Sequence, residues 1–160
     1  FTVVTAQRRP ILVTSLAVEV LRGAFRSVQS SRPFAVNAIV VLPDHLHCIW
    51  TLPPGDGDFA NRWRLIKTQF TKRCASALHL LSEPDRKKSP WQHRYWEHAL
   101  RDETDFMRHV EYIHFNPVKH RLVTSAFEWP YSSFRRYVRA GLYPADWGCD
   151  EVKFEGIGRE

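Results

Sequence analysis

The sequence predicts an α+β domain: a ferredoxin-like split βαβ sandwich, with a mainly antiparallel sheet and helices on one face. Three observations predict it. Strand-like and helix-like segments follow in the order strand, helix, strand, strand, helix, strand, helix. Only Pro43-Asp44 separates the second and third strands, a link that suits a hairpin and not a parallel crossover. Each long helical segment carries one apolar stripe, so each packs by one side. With the helices on one face, the other face of the sheet would be open to a ligand.

The elements follow in order. Phe1-Thr2-Val3-Val4-Thr5 is rich in β-branched residues and reads as the first strand. Leu12, Leu16, Val20 and Ala24 recur at helical spacing behind Pro10, which predicts a helix over Ile11–Gln29. Ser30-Ser31-Arg32-Pro33 ends it. Phe34–Leu42 is nearly all apolar and reads as the second strand, and His45–Leu52 as the third. Asp58 is placed to cap a second helix whose stripe is Phe59, Trp63, Ile66, Phe70 and Ala77, running to about Leu81. Ser82–Pro90 is a polar loop, and Tyr95–Leu100 reads as a fourth strand. Asp102, with Asp105 three residues on, caps a third helix with the stripe Phe106, Val110 and Ile113. Pro117 predicts its end near Asn116. A short helix over Ser132–Val138 follows, and the last twenty residues show little periodicity.

Residues 1–160 are expected to form one domain, since no repeat and no linker divides them. With 44% hydrophobic and 13% aromatic residues, the chain can build a core without disulfide or metal staples. No apolar run approaches the ~20 residues of a membrane span, so a membrane partner is excluded on that ground. Cys48, Cys74 and Cys149 are odd in number and widely spaced, which speaks against a disulfide framework or a cysteine zinc site and for a reducing cytosol. No signal peptide is read at the first residues, and residues ahead of Phe1 are expected to be missing. Lys and Arg number 23 against 17 Asp and Glu, a net charge of +6. That excess favours a polyanionic partner.

Two constellations carry candidate chemistry. In His45-Leu46-His47 the side chains alternate, so both imidazoles share one face of a strand while Leu46, Cys48 and Trp50 take the other. Two imidazoles at this spacing form a platform for a metal ion, or are two unrelated surface histidines. Tyr112 and Asn116 lie four apart on the third helix, beside its apolar stripe. Asn116 offers a carbonyl oxygen to a hard cation and Tyr112 a hydroxyl nucleophile. The bland alternative is a half-buried Tyr and an Asn closing a helix. Taken together, His45, His47 and Asn116 would hold Mg²⁺ or Mn²⁺ and Tyr112 would attack a phosphodiester. No P-loop is present, so nothing supports ATP-driven chemistry.

The segments LPDHLHCIWTLPPGDGDFANRWRLIK, YWEHALRDETDFMRHVEYIHFNPVKH and WPYSSFRRY resemble the REP-associated tyrosine transposases, members of the HUH (His-hydrophobic-His) single-strand nucleases. The resemblance runs from Phe1 to Tyr137, with His93 and Ala6 as departures from its pattern. It implies an HUH transposase-like fold, with His45 and His47 as the metal-binding pair, Asn116 as third ligand and Tyr112 as the single nucleophile. It implies a metal-dependent endonuclease and strand transferase cutting single-stranded DNA at REP-type palindromic hairpins, through a 5′-phosphotyrosine link that leaves a free 3′-OH. The alternatives are a non-catalytic hairpin-binding domain derived from a transposase, or a hydrolase in which the metal activates water. The family further implies a bacterial, cytoplasmic, nucleoid-associated protein, acting as a monomer or in its relatives' manner as a dimer.

Phosphate contacts are expected from Arg8 and Arg9 after the first strand, Arg62, Arg64 and Lys67 on the second helix, and Lys119, His120 and Arg121 after Asn116. Trp96 is a candidate platform for an unpaired base, whereas Trp63 falls in the buried stripe.

Overall fold

The computed structural model describes residues 1–77 and 89–149. Its elements are β1 (Thr2–Val4), a 3₁₀ turn (Ala6–Arg8), α1 (Ser15–Ser31), β2 (Ala35–Val41), β3 (His45–Thr51), α2 (Phe59–Ala77), α3 (Glu103–Lys119), a 3₁₀ turn (Ala126–Glu128) and α4 (Phe134–Arg139). The three strands form an antiparallel sheet in the order β1-β3-β2. The α+β class and the antiparallel hairpin are those expected. The tail of the second helix as far as Leu81, most of the Ser82–Pro90 loop and the last residues of the chain lie outside the described residues.

The register places Thr2 and Val40 on either side of His47 in the central strand. Alternation along β3 then sorts its side chains. Leu46 and Cys48 join the core that α1 and α2 build with Leu21, Phe25, Val28, Trp63, Ile66 and Phe70. Trp50 and Trp63 stack there, ring centroids 4.4 Å apart. Ile49 faces the other way, into a second core with Ala38, Val40, Val110, Ile113 and Phe134.

That second core corrects one expectation. Helices cover both faces of the sheet: α1 and α2 on one, α3 and α4 on the other. The physical reason is legible in Phe34–Leu42, an almost unbroken apolar run and the mark of a strand buried on both sides. The face that was expected to be open is therefore a partly roofed groove.

Three boundaries also differ. α1 starts at Ser15 because Thr14 caps it, its Oγ1 accepting from Ala17 N–H at 3.1 Å. Leu12 is buried outside the helix and donates its N–H to Pro43 O. The expected strand over Tyr95–Leu100 is irregular. β1 has three residues and offers a short edge, which this stretch meets through bridges at Thr2–Trp96 and Thr5–Trp91. Finally, α3 continues through Pro117 to Lys119. Proline in the last turn forfeits one backbone bond, and the His120 and Leu122 N–H groups close the end on Asn116 O and Pro117 O. The predicted cap stands: Asp102 Oδ1 accepts from Asp105 N–H at 2.8 Å.

Candidate active site

The site forms where β3 meets α3. His45 and His47 are both buried, on the face of β3 opposite Leu46, with ring centroids 5.0 Å apart and planes at 89°. Each is oriented by a partner that the sequence reading did not assign. His45 Nδ1–H donates to Asp44 Oδ1 at 2.6 Å. His47 Nδ1 and the Thr2 hydroxyl on β1 share a hydrogen bond of 2.8 Å. A proton on Nδ1 puts the ligating lone pair on Nε2, so the Asp44 carboxylate, which only accepts, sets that tautomer in His45, while the Thr2 hydroxyl steadies the His47 ring. Asp44 is held below the usual carboxylate range by His45 and Arg8 against the opposing effect of its burial, which is the largest single contribution.

α3 brings Tyr112 to the pair. Its ring stands edge-on to His47, centroids 5.5 Å apart. One turn on, Asn116 is fully buried. Its Nδ2 donates to Tyr112 O at 2.9 Å, which fixes the amide and leaves Oδ1 buried with no hydrogen-bond partner among the described residues. A buried carbonyl oxygen in that state fits a cation ligand. The donor set of two imidazoles and one amide oxygen suits a divalent cation with open positions.

Two nominated DNA contacts lie at the site itself. Lys119 Nζ donates to the Tyr112 hydroxyl at 3.0 Å. His120 lies beside His45, ring centroids 5.1 Å apart. Spacing gave one usable signal here, since Tyr112 and Lys119 are seven apart and so share a helix face. The His120–His45 contact had none.

Arg62 is a correction. It is 2% exposed, and its guanidinium pairs with both Asp56 oxygens at 3.0 and 2.6 Å and with the carbonyls of Arg32, Pro33 and Asp58. Fully used inside the fold, it has no donor to offer a phosphate. Lys67 is half-buried, donates to Gln92 O and lies over the Tyr95 ring. Arg8 pairs with Asp44 at 3.2 Å and therefore steadies the His45 end of the site. Arg64 and Arg121 are exposed, and Arg9 is half-buried.

A groove of about 440 Å³ runs past the site, lined among others by Thr2, His47, Trp50, Trp96, His109 and Tyr112. Its wall holds a cluster absent from the sequence reading: His98, Asp105 and His109. The only available signal was Asp105 and His109 at helical i,i+4 spacing. Among the described residues, no helix is long and apolar enough to cross a membrane.

Comparison with known proteins identifies the family. The family model "Transposase IS200 like" matches residues 1–116, a span that contains His45, His47, Tyr112 and Asn116. A REP-associated tyrosine transposase of Escherichia coli is 49% identical over 154 residues, covering 96% of this chain and 86% of the relative. A relative from Haemophilus influenzae is 39% identical over 160 residues, covering 98% of this chain and 90% of its own. The solved structure of a REP-associated tyrosine transposase bound to a REP hairpin superposes with a TM-score of 0.82 at 46% identity, covering 99% of this chain and 89% of the other. By sequence, fold and the motif blocks it carries, this chain belongs to the IS200-like transposases and, among them, to the REP-associated tyrosine transposases.

Proposed function

We propose that this chain is a metal-dependent single-stranded DNA endonuclease and strand transferase that cuts beside REP-type palindromic hairpins. The observation that carries the reading is the Tyr112 ring set against His47 at 5.5 Å, with buried Asn116 one turn away. A nucleophilic hydroxyl beside three metal-capable donors is the arrangement a phosphodiester displacement needs. A relative that binds a REP hairpin supports hairpin DNA as the substrate.

His45, His47 and Asn116 would hold Mg²⁺ or Mn²⁺ through Nε2, Nε2 and Oδ1. A cation bound there would polarise a phosphodiester oxygen and neutralise charge that develops as the bond breaks. Tyr112 Oη attacks phosphorus, the bond to the 3′ oxygen breaks, and the products are a 5′-phosphotyrosine and a free 3′-OH. The phenol proton leaves to solvent and the 3′ oxygen takes one up. Because the phosphotyrosine retains a phosphodiester, the reverse attack rejoins strands without ATP. Lys119 places a positive charge on the attacking oxygen, and exposed Arg64 and Arg121 serve the DNA backbone.

The test is a palindromic single-stranded oligonucleotide incubated with Mg²⁺ or Mn²⁺ and run on a denaturing gel. A covalent protein–DNA adduct that disappears in Tyr112→Phe is the expected result. Cleavage without an adduct, persisting in Tyr112→Phe, would establish a hydrolase. Tight hairpin binding with no cleavage under either cation would establish a binding domain.

A further inference from the structure

His98, Asp105 and His109 hold ligand atoms that all lie within 4.8 Å of one another. His98 sits in the irregular stretch before α3, while Asp105 and His109 are one turn apart on α3. His98 Nε2 meets Asp105 Oδ2 at 3.0 Å, and His109 Nδ1 meets Asp105 Oδ1 at 3.0 Å. The two imidazoles meet different oxygens of the one carboxylate. Ligands around a tetrahedral cation with bonds of 2.0–2.1 Å stand about 3.3 Å apart, so a group whose ligand atoms already lie within 4.8 Å of one another needs only side-chain adjustment to close on an ion. The two imidazoles are nearly parallel, at 17° with centroids 4.9 Å apart. Trp96 stacks on the outer side chain of this pair, His98, at 5.7 Å.

The remaining contacts of the cluster are compatible with an ion. Arg101 reaches Asp105 Oδ2 through its backbone N–H at 3.1 Å and its Nε at 3.4 Å, but its side chain is 78% exposed and can swing to solvent. His109 Nδ1 also meets the Asp105 carbonyl at 2.8 Å. That bond would be exchanged for the metal bond. The carboxylate is largely buried and both imidazoles line the groove, so a fourth position is open to water.

The geometry points to a second divalent-cation site at His98, Asp105 and His109, of the zinc class, separate from the His45–His47 pair. Two imidazoles with one carboxylate and a water is a common zinc set, and a borderline cation prefers it to Mg²⁺. Bound there, the ion clasps the irregular 97–101 stretch to α3 and holds the groove wall that carries Trp96. This site owes nothing to the phosphodiester chemistry proposed above.

Metal-stripped full chain titrated with Zn²⁺ against a chromophoric chelator tests it. The wild-type chain should take up one equivalent more than His98→Ala, with at least a hundredfold weaker binding of that equivalent in the variant. His109→Gln should behave alike. In the Co²⁺-loaded chain, the same equivalent should give visible absorption bands of tetrahedral strength, missing from both variants. Circular dichroism checks that the variants fold; His98 is partly exposed, so its removal leaves the core intact. Equal zinc stoichiometry in wild type and His98→Ala would overturn the assignment and leave the cluster a histidine–carboxylate clamp. So would loss of the extra equivalent on removing His45 and His47 alone from a chain that still folds.

Discussion

Lys119 donates a hydrogen bond from Nζ to the Tyr112 hydroxyl at 3.0 Å, and its ammonium lies 4.9 Å from the centre of the same ring. The two residues are seven apart on α3, so two helical turns stack them on one side. On the proposed mechanism, a cation held at this oxygen stabilises the charge that passes through it as it displaces at phosphorus. A charge-assisted bond of this kind contributes about 1.5–3 kcal/mol where it acts. Lys119→Met should therefore slow adduct formation roughly 10- to 100-fold. Hairpin affinity should change only a few-fold, and Lys119→Arg should recover part of the rate. Single-turnover cleavage beside a binding titration separates the two; an unchanged rate in Lys119→Met would remove the residue from the reaction.

With His45 and His47 holding the cation as proposed, their orienting contacts should matter nearly as much as the imidazoles themselves. His45→Ala and His47→Ala should abolish cleavage and leave hairpin binding within a few-fold. Thr2→Val removes the partner of His47 Nδ1 without removing volume. It should weaken the Mn²⁺ dependence of cleavage about 10- to 100-fold, as lost outer partners of metal ligands do. Cleavage rate against Mn²⁺ concentration reads the effect directly.

Arg62 and Arg64 sit two residues apart on α2 and should behave oppositely. Arg62→Ala leaves Asp56 and three backbone carbonyls without their donor and should cost about 2–4 kcal/mol of stability, measured by urea unfolding. Arg64 is exposed. Arg64→Ala should leave stability within about 0.5 kcal/mol and reduce the slope of log affinity against log salt by roughly 1 if it touches a phosphate. A destabilised Arg64→Ala beside an intact Arg62→Ala would reverse the assignment.

The Asp56–Arg62 pair also sets an acid limit. The hydrogen bond from Arg62 lowers the Asp56 carboxyl from 3.8 to about 2. The folded value lies below the unfolded one, so protons favour the unfolded chain. The pair's contribution is complete above pH 3.8 and is lost as pH falls toward 2. Urea midpoints between pH 5 and pH 2 should fall less steeply in Asp56→Asn than in wild type. Parallel curves would contradict this.

A core substitution checks the other half of the fold. Trp63 is 1% exposed and packs on Trp50, Phe25 and Phe1. Trp63→Ala should lose about 3–5 kcal/mol, read as a large drop in the unfolding midpoint.

By itself the sequence determined most of the local elements and which residues are candidates for the chemistry. Alternation put His45 and His47 on one side of a strand, helical spacing put Tyr112 near Asn116, and Asp102 announced the start of α3. These are short-range consequences of backbone geometry, and three motif blocks tied them to one family. The tertiary structure alone decided which face of the sheet α3 covers, and with it the meeting of Tyr112 and His47 across strand and helix. It also decided that Arg62 is an internal tether, that Thr2 on β1 orients His47, and that His98 closes on Asp105 and His109. Those relationships join residues far apart in the chain. They depend on how elements pack, and a guanidinium bound for solvent looks the same in sequence as one that the fold buries.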